Sequence, residues 1–260
     1  MNKSKIISFD MSNRVKDEDI EIVKSKEDEI LNKEILDIYD KNFEKIGTAT
    51  RGEIHEKGHI HKVVHCWFEE DTENGKYCYF QQRAMYKSYP GLYGVMVGGH
   101  IDSGEDVFEA LKREISEEAG ISVREENISF INEIFENIVD GDFIDNEICE
   151  VYRYNVDEDT VFNPNKEVAK VVRMNEEEYK KCVFGITETV EAEIVAVSNQ
   201  QGMKEYAVGD KFLIHTEDFC EYDRRYVRMV TGMSDDEYFM MEALREAKRH
   251  MIKRKLQSVR

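Results

Sequence analysis

The chain has 260 residues, enough for one large domain or two small ones with a substantial core. It carries 36 Lys and Arg against 55 Asp and Glu, and the net charge of −19 argues against nucleic-acid polymers and anionic membranes as partners. A hydrophobic content of 41 % excludes a disordered chain, and two prolines are too few for a proline-rich linker protein.

The cysteine pattern and the amino terminus predict a cytoplasmic protein. The five cysteines include no C-x-x-C pair that would indicate a zinc or redox site, so we expect free, buried thiols in a reducing compartment. No apolar run approaches the roughly 18 residues of a membrane span. Asp10 stands where a signal peptide would still be apolar.

The first half of the chain begins with a charged extension, residues 1–32, in which we expect no function. Four strands are then predicted, the first of them from alternating apolar and polar residues. These strands cover residues 35–40, 62–68, 76–83 and 93–97. Asn74-Gly75 is expected to turn the second strand into the third, and Gly98-Gly99 is expected to end the fourth.

A helical period follows from Asp106 to Ala119. Phe108, Leu111 and Ile115 fall on one apolar stripe, and Gly120 is placed to end the helix. A helix with one such stripe packs that stripe against a sheet.

The second half is predicted to alternate strands with short helices and to finish in a long helix. We expect strands at 128–135, 147–156, 188–197 and 205–214, and helices at 176–182 and 234–256. The final helix has an apolar stripe that we expect to face the core, formed by Met240, Leu244, Ala247 and Met251. The fold class is therefore mixed α/β (α+β), with helices packed on a sheet.

The most informative segment is Gly99–Ile121, which we call the signature segment. At about 100° per residue, Glu114, Glu117 and Glu118 fall within one arc of the helix beside the apolar stripe. Three like charges so close destabilise a helix, and a hard divalent cation such as Mg²⁺ would remove the repulsion. Glu105 lies near enough to assist, and Arg113 has the chemistry to anchor a carboxylate. The Gly98-Gly99 turn would add the Gly99 carbonyl as a ligand.

This segment resembles the Nudix box, G-x5-E-x7-R-E-U-x-E-E-x-G-U with U a bulky aliphatic residue, at every fixed position. The resemblance implies a Nudix-type mixed β-sheet sandwich flanked by helices. It also implies a hydrolase that uses Mg²⁺ or Mn²⁺ to cleave a diphosphate linked to another group, often a nucleoside. By the same resemblance, Glu114, Glu117 and Glu118 are metal ligands with Glu105 in support, and Arg113 orients them.

The general base varies within the family. We favour Glu117 or Glu114, and Glu147, Glu150 and Glu167 are downstream candidates. The base would deprotonate the attacking water while the metal neutralises developing charge.

Motifs outside the segment resemble the Nudix branch related to isopentenyl-diphosphate isomerase, over residues 34–175. Within that branch the resemblance implies a second metal site at His55, His61 and His100. The alternative is that these histidines cap turns or form hydrogen bonds within the sheet. The isomerases also need a cysteine where this chain has Gly98, and they lack an intact box, so both departures favour a hydrolase.

We therefore predict a charged extension at 1–32 and a Nudix hydrolase domain at 33–182. Residues 183–260 are predicted to form a carboxyl-terminal elaboration, a hairpin insertion plus a final helix that packs on that domain. The expected partner is a small diphosphate-containing substrate, and a homodimer is a possible assembly. The alternatives are a non-catalytic module that binds a diphosphate ligand, or an isopentenyl-diphosphate isomerase.

Overall fold

The computed structural model describes residues 34–140, 143–198 and 207–258. The predicted extension at 1–32 and the predicted connection through residues 199–202 lie outside these ranges. Within them, the strands join into one mixed sheet of eleven, with helices on both faces. The predicted mixed fold is confirmed.

The strands have the following bounds. They are β1 (Ile35–Tyr39), β2 (Lys45–Thr50), β3 (Ile60–Thr72), β4 (Gly75–Arg83), β5 (Tyr93–Val95), β6 (Val97–His100), β7 (Ile128–Asp140), β8 (Phe143–Asn155), β9 (Val168–Asn175), β10 (Thr189–Val197) and β11 (Lys211–His215).

The helices are fewer and mostly short. They are α1 (Arg51–Lys57), α2 (Val107–Glu114), α3 (Glu176–Val183), α4 (Arg224–Val230) and α5 (Asp235–Ser258). A π-helical turn, Ile115–Ala119, continues α2, and two 3₁₀ turns lie at Glu125–Asn127 and Thr216–Asp218.

Strand β3 organises the sheet because its two faces serve different layers. It pairs in parallel with β8 and antiparallel with β4 and β6. Val64, Cys66 and Phe68 pack in the core cluster that holds α2, whereas Val63 and Trp67 pack in the cluster that holds α3, α4 and α5. The period of two along a strand produces this division.

The fourth predicted strand does not end at Gly98-Gly99. Strand β5 ends at Val95 instead, and a new strand, β6, runs from Val97 through both glycines to His100. Gly98 and Gly99 pair with His65 and Val64 of β3, and this ladder keeps their backbone extended. Tertiary pairing thus overrides the usual tendency of a glycine pair to form a turn.

The prediction that the apolar stripe of α5 faces the core is wrong. Met240, Leu244 and Met251 are 53 %, 48 % and 60 % exposed, and Ala247 is exposed as well. The helix packs instead through the buried Met241 and through Tyr238, which contacts Phe184. Beyond the first turns, its contact face continues with Lys248, whose ammonium group donates to the Ile186 carbonyl. Long cationic side chains cover apolar surface in this way, so the contact face was not recognisable as apolar.

The carboxyl-terminal strands extend the main sheet. β10 pairs with β9, and β11 pairs with β10, so the two strands of the hairpin predicted after residue 183 are added to the sheet beside β9. Farther on, Phe219 bridges to Tyr93, and the Cys220 amide donates to the Tyr93 carbonyl. The described residues include no helix long and apolar enough to cross a membrane.

Candidate functional site

The signature segment folds as a loop followed by a helix with defined ends. The Asp106 side chain accepts hydrogen bonds from the Phe108 and Glu109 amides and begins α2. Gly120 ends the π-helical turn with φ of 64°, in the left-handed region. A Cβ atom at this glycine would lie 1.8 Å from the Asn163 carbonyl oxygen, so both conformation and space require glycine.

Arg113 holds the predicted carboxylates in place. Its guanidinium donates to both oxygens of Glu105, at 2.9 Å each, and to Oε1 of Glu114 at 2.6 Å. It also donates to the His100 carbonyl at 3.0 Å and lies 3.7 Å from Glu117. Arg113 therefore connects the predicted ligands with strand β6, as the bidentate chemistry of arginine permits.

Gly99 provides the space that Glu114 occupies. A Cβ atom at Gly99 would lie 2.1 Å from the carboxyl carbon of Glu114. Burial, and next the charge of Glu118, raise the pKa of Glu114 to about 8. A buried carboxyl group beside a second one favours either a proton or a cation.

Glu118 is also buried, four residues after Glu114. One carboxyl oxygen accepts from the Gln81 side chain at 3.0 Å and from the Gly98 amide at 2.9 Å. Burial raises the pKa of Glu118 despite these bonds. Glu117, by contrast, has a side chain that is 56 % exposed. The structure thus joins Glu105, Arg113 and Glu114 by hydrogen bonds, with Glu117 3.7 Å from Arg113 and Glu118 bonded to Gln81 and Gly98.

A cavity of about 830 Å³ opens beside the signature segment. Gly98 and Gly99 line it while contacting Glu118 and Glu114. Its lining includes four cationic side chains, Arg51, Arg83, Lys87 and Lys166. It also includes three residues of the carboxyl-terminal region, Cys220, Glu221 and Tyr222. Five carboxylates line the same cavity, namely Glu136, Asp145, Glu147, Glu167 and Glu221, so the cationic groups lie among acidic ones.

His55, His61 and His100, which we call the histidine cluster, lie together, and His55 and His100 line the same cavity. One ring nitrogen of each lies within 4.8 Å of the others. Each comes from a different element, α1, β3 and β6. Burial lowers the pKa of His61, and burial followed by the charge of Arg51 lowers that of His100 to about 3, so both rings are neutral at pH 7. Neutral imidazole is the form that ligates metals.

Two residues that the sequence did not assign to a second site complete this cluster. Oδ1 of Asp145 lies 3.4 Å from Nε2 of His55 and 3.6 Å from Nε2 of His61. Glu147 is the neighbour of His61 across the parallel ladder of β3 and β8. Asp145 and Glu147 are two residues apart on β8, and this spacing, which puts both side chains on one face of the strand, is the sequence signal that links them. Nothing local links them to His61, because Asp145 is 84 positions away from it.

The donor set fits a divalent cation. Nε2 of His61 and Oδ1 of Asp145 are buried and make no hydrogen bond within the part of the chain that the structure describes. Buried polar atoms without a hydrogen bond are rare, and they mark sites where an ion or water is expected. Imidazole nitrogens with carboxylate oxygens suit Mn²⁺ or Zn²⁺.

The downstream candidates for the general base separate in the structure. Glu147 and Glu167 line the cavity. Glu150 instead accepts from the Lys62 ammonium group at 2.7 Å and does not line it. Among the aromatic residues of this region, Trp67 and Phe80 are core residues, whereas Tyr86 and Tyr89 line the cavity.

The chain is similar in sequence to known proteins of the Nudix family. The NUDIX domain family matches residues 50–191. An uncharacterized Nudix hydrolase of Clostridium acetobutylicum is 30 % identical over 211 residues, which are 80 % of this chain and all of that protein. Nudix hydrolase 3 of Arabidopsis thaliana is 35 % identical over 46 % of this chain and 16 % of its own length. Isopentenyl-diphosphate Delta-isomerase 2 of Photorhabdus laumondii is 28 % identical over 50 % of this chain and 71 % of its own.

Proposed function

Because the chain belongs to the Nudix family of hydrolases that act on pyrophosphate bonds, we propose that it cleaves the diphosphate linkage of a small, nucleoside-type diphosphate derivative with the aid of Mg²⁺ or Mn²⁺. The observation that carries this proposal is that Arg113 joins Glu105 and Glu114 by hydrogen bonds beside a cavity whose mixed lining includes four Arg and Lys side chains. A diphosphate needs both features, carboxylates that hold its counter-cation and positive groups that hold its outer oxygens.

In this proposal Glu114, Glu117 and Glu118 would hold the metal, with the Gly99 carbonyl and Glu105 in support. Arg113 keeps the Glu114 carboxyl group in one orientation and is itself fixed by Glu105. A bound divalent ion would supply charge neutralisation at the phosphoryl group and a lower pKa for the attacking water. Arg83 and Lys87 line the cavity and would bind the phosphoryl oxygens that face away from the carboxylates.

Glu117 is our first choice for the general base and Glu114 the second. The exposed carboxyl group of Glu117 is free to approach a water molecule, whereas Glu114 is bonded to Arg113. Glu147 and Glu167 stay as alternatives at the cavity wall.

We further propose that the histidine cluster, with Asp145 and Glu147, holds a second divalent cation. The buried atoms of His61 and Asp145 described above support this site. Mass spectrometry of the native protein, or metal analysis after dialysis, is expected to find a transition metal in wild type and much less in His61→Ala. Equal metal content in both would contradict a second site.

The test of the function is hydrolysis of a panel of nucleoside diphosphate derivatives with Mg²⁺ or Mn²⁺. Wild type is expected to release nucleotide or phosphate, and Glu117→Gln to lower kcat by about 10²- to 10⁴-fold, the usual contribution of a general base. Glu109→Gln is the matched control, because Glu109 lies on the same helix and pairs with Lys112 on the surface. No turnover of any diphosphate with either metal would refute the proposal.

The same panel separates the two alternatives. Tight binding of a diphosphate without turnover would indicate a non-catalytic module. Deuterium exchange into isopentenyl diphosphate in D₂O would indicate an isomerase. The latter has support from the histidine cluster but none at position 98, where the chain has glycine instead of the required cysteine.

A further inference from the structure

Two buried side chains of one strand form a hydrogen-bonded group at the cavity with a buried tyrosine about 160 positions later in the chain. His65 and Trp67 lie on β3, and Tyr226 lies on α4. The Tyr226 hydroxyl oxygen is 2.9 Å from Nε1 of Trp67 and 2.8 Å from Nδ1 of His65. The cavity lining includes His65, whereas Trp67 packs in the core.

The donors and acceptors of this group can be assigned from their chemistry. The indole nitrogen of Trp67 is only a donor, so the Tyr226 oxygen accepts a hydrogen bond from it. Burial raises the pKa of Tyr226 well above its usual value, and the hydroxyl keeps its own proton. Among the described residues the remaining partner for that proton is Nδ1 of His65. Nδ1 is therefore the acceptor, and the ring proton lies on Nε2.

The protonated edge of the ring faces Gly98, the residue that precedes the signature segment. A Cβ atom at Gly98 would lie 3.4 Å from Cδ2 and 3.7 Å from Nε2 of His65. Gly98 is the residue whose amide donates to Glu118. The Nε2–H group thus lies beside the backbone that contacts the predicted metal ligands, on the cavity side.

A donor in this position matches an anionic ligand better than a cation. Nδ1 is occupied by Tyr226, and a protonated Nε2 offers no lone pair to a metal. The ring lies near Glu147 and Cys149, with one ligand atom of each within 4.8 Å, but its tautomer removes it from such a metal set.

We propose that His65 donates a hydrogen bond from Nε2 to a phosphoryl oxygen of the bound diphosphate, and that Tyr226 is a positioning residue that fixes the tautomer. This proposal rests on the proposed function for its ligand, although the tautomer does not. It gives the carboxyl-terminal region a task in the reaction, because α4 supplies the group that orients a donor on β3.

The tautomer can be measured without any substrate. In ¹⁵N-labelled protein, long-range ¹H–¹⁵N correlation spectra report which ring nitrogen is protonated. We expect an Nε2–H ring for His65, assigned by its loss in His65→Gln, and a mixture of tautomers in Tyr226→Phe. A wild-type ring protonated on Nδ1 would overturn the proposal, even if the protein hydrolyses diphosphates.

Ligand contact is tested with methylenediphosphonate, a diphosphate whose P–C–P bridge resists hydrolysis. Adding it together with Mg²⁺ is expected to shift the Nε2–H signal of His65 in wild type. An unchanged signal at a ligand concentration that saturates the protein by calorimetry would overturn the proposed contact while leaving the proposed hydrolysis intact.

Kinetics provide the third readout, on whichever diphosphate derivative is turned over fastest. His65→Phe is expected to lower kcat/KM about 10- to 100-fold, and His65→Gln, which keeps an amide N–H, to recover part of it. Tyr226→Phe is expected to lower kcat/KM about 5-fold, whereas Tyr238→Phe is the control, since Tyr238 contacts Phe184 away from the cavity. A wild-type kcat/KM in His65→Phe would refute the role of His65 and leave the proposed function intact. Absence of turnover in the wild-type protein would refute the proposed function itself.

Discussion

Gly99 shows how one missing side chain serves the candidate site. Because a Cβ atom there would lie 2.1 Å from the carboxyl carbon of Glu114, Gly99→Ala is expected to displace that carboxyl group. We expect kcat/KM to fall about 100-fold, as misplacements near 1 Å do. Gly47→Ala is the control, because a Cβ atom added at Gly47 would lie 3.8 Å from the Ile38 side chain, an ordinary contact distance. Steady-state kinetics of both variants would test this, and an unaffected Gly99→Ala enzyme would contradict it.

The pKa of Glu114 predicts a pH-dependent stability for the metal-free protein. A carboxyl group whose pKa rises from 4.5 in the unfolded chain to about 8 in the fold stabilises the protein when protonated. That contribution is complete below pH 4.5 and is lost as the pH rises to 8. Glu114→Gln cannot ionise, so its stability relative to wild type should increase between these values by up to about 1.4 kcal/mol for each pH unit.

This comparison is made in EDTA by urea denaturation of the two proteins at pH 5, 6.5 and 8. A constant difference in the free energy of unfolding would show that the Glu114 carboxyl group is already ionised in the fold. The histidines titrate equally in both proteins, so their effect cancels in the difference.

At the scale of elements, the end of the signature helix depends on Gly120. Both Gly120 and Gly185 have a left-handed backbone, with φ of 64° and 70°, but only Gly120 has a neighbour within 4 Å of an added Cβ atom. Gly185→Ala should therefore cost about 1 kcal/mol for backbone strain, and Gly120→Ala at least about 3 kcal/mol more, because the Asn163 backbone must move. Equal losses in chemical denaturation would contradict a steric role for Asn163.

The sequence predicts those elements whose pattern is set locally. Helix α2 has its capping Asp106, its apolar stripe and its final Gly120, and each of these acts within a few residues. The strands around Val64 and Phe80 are also evident, because a buried strand reads as a run of apolar residues. Helix α1 was missed because seven residues contain too little of a helical period to recognise.

Features that depend on distant pairing could not be predicted in this way. Gly98 and Gly99 stay extended because β3 supplies their hydrogen bonds, and Asp145 reaches His61 because β8 lies parallel to β3. The exposed stripe of α5 is a third case, since Tyr238 and Met241 fix the rotation of that helix. In each instance the deciding contact joins segments that the sequence separates.

For the whole molecule, the net charge of −19 opposes the approach of an anionic substrate. We expect calorimetry to detect binding of methylenediphosphonate in 5 mM Mg²⁺, the chosen test condition, but at least about 10-fold weaker binding in EDTA, because the repulsion between ligand and carboxylates is then unrelieved. Binding of equal strength in EDTA would show that Arg83, Lys87 and their cationic neighbours suffice.

Trp67 lies where the central sheet meets the carboxyl-terminal helices. Trp67 is the chain's single tryptophan, it is 3 % exposed, and it contacts residues of β4, α3 and α4. Its fluorescence is therefore a built-in optical probe of the junction between the central sheet and the carboxyl-terminal helices. An emission red shift at denaturant concentrations that leave the far-ultraviolet circular dichroism unchanged would mean that this junction opens before the sheet unfolds.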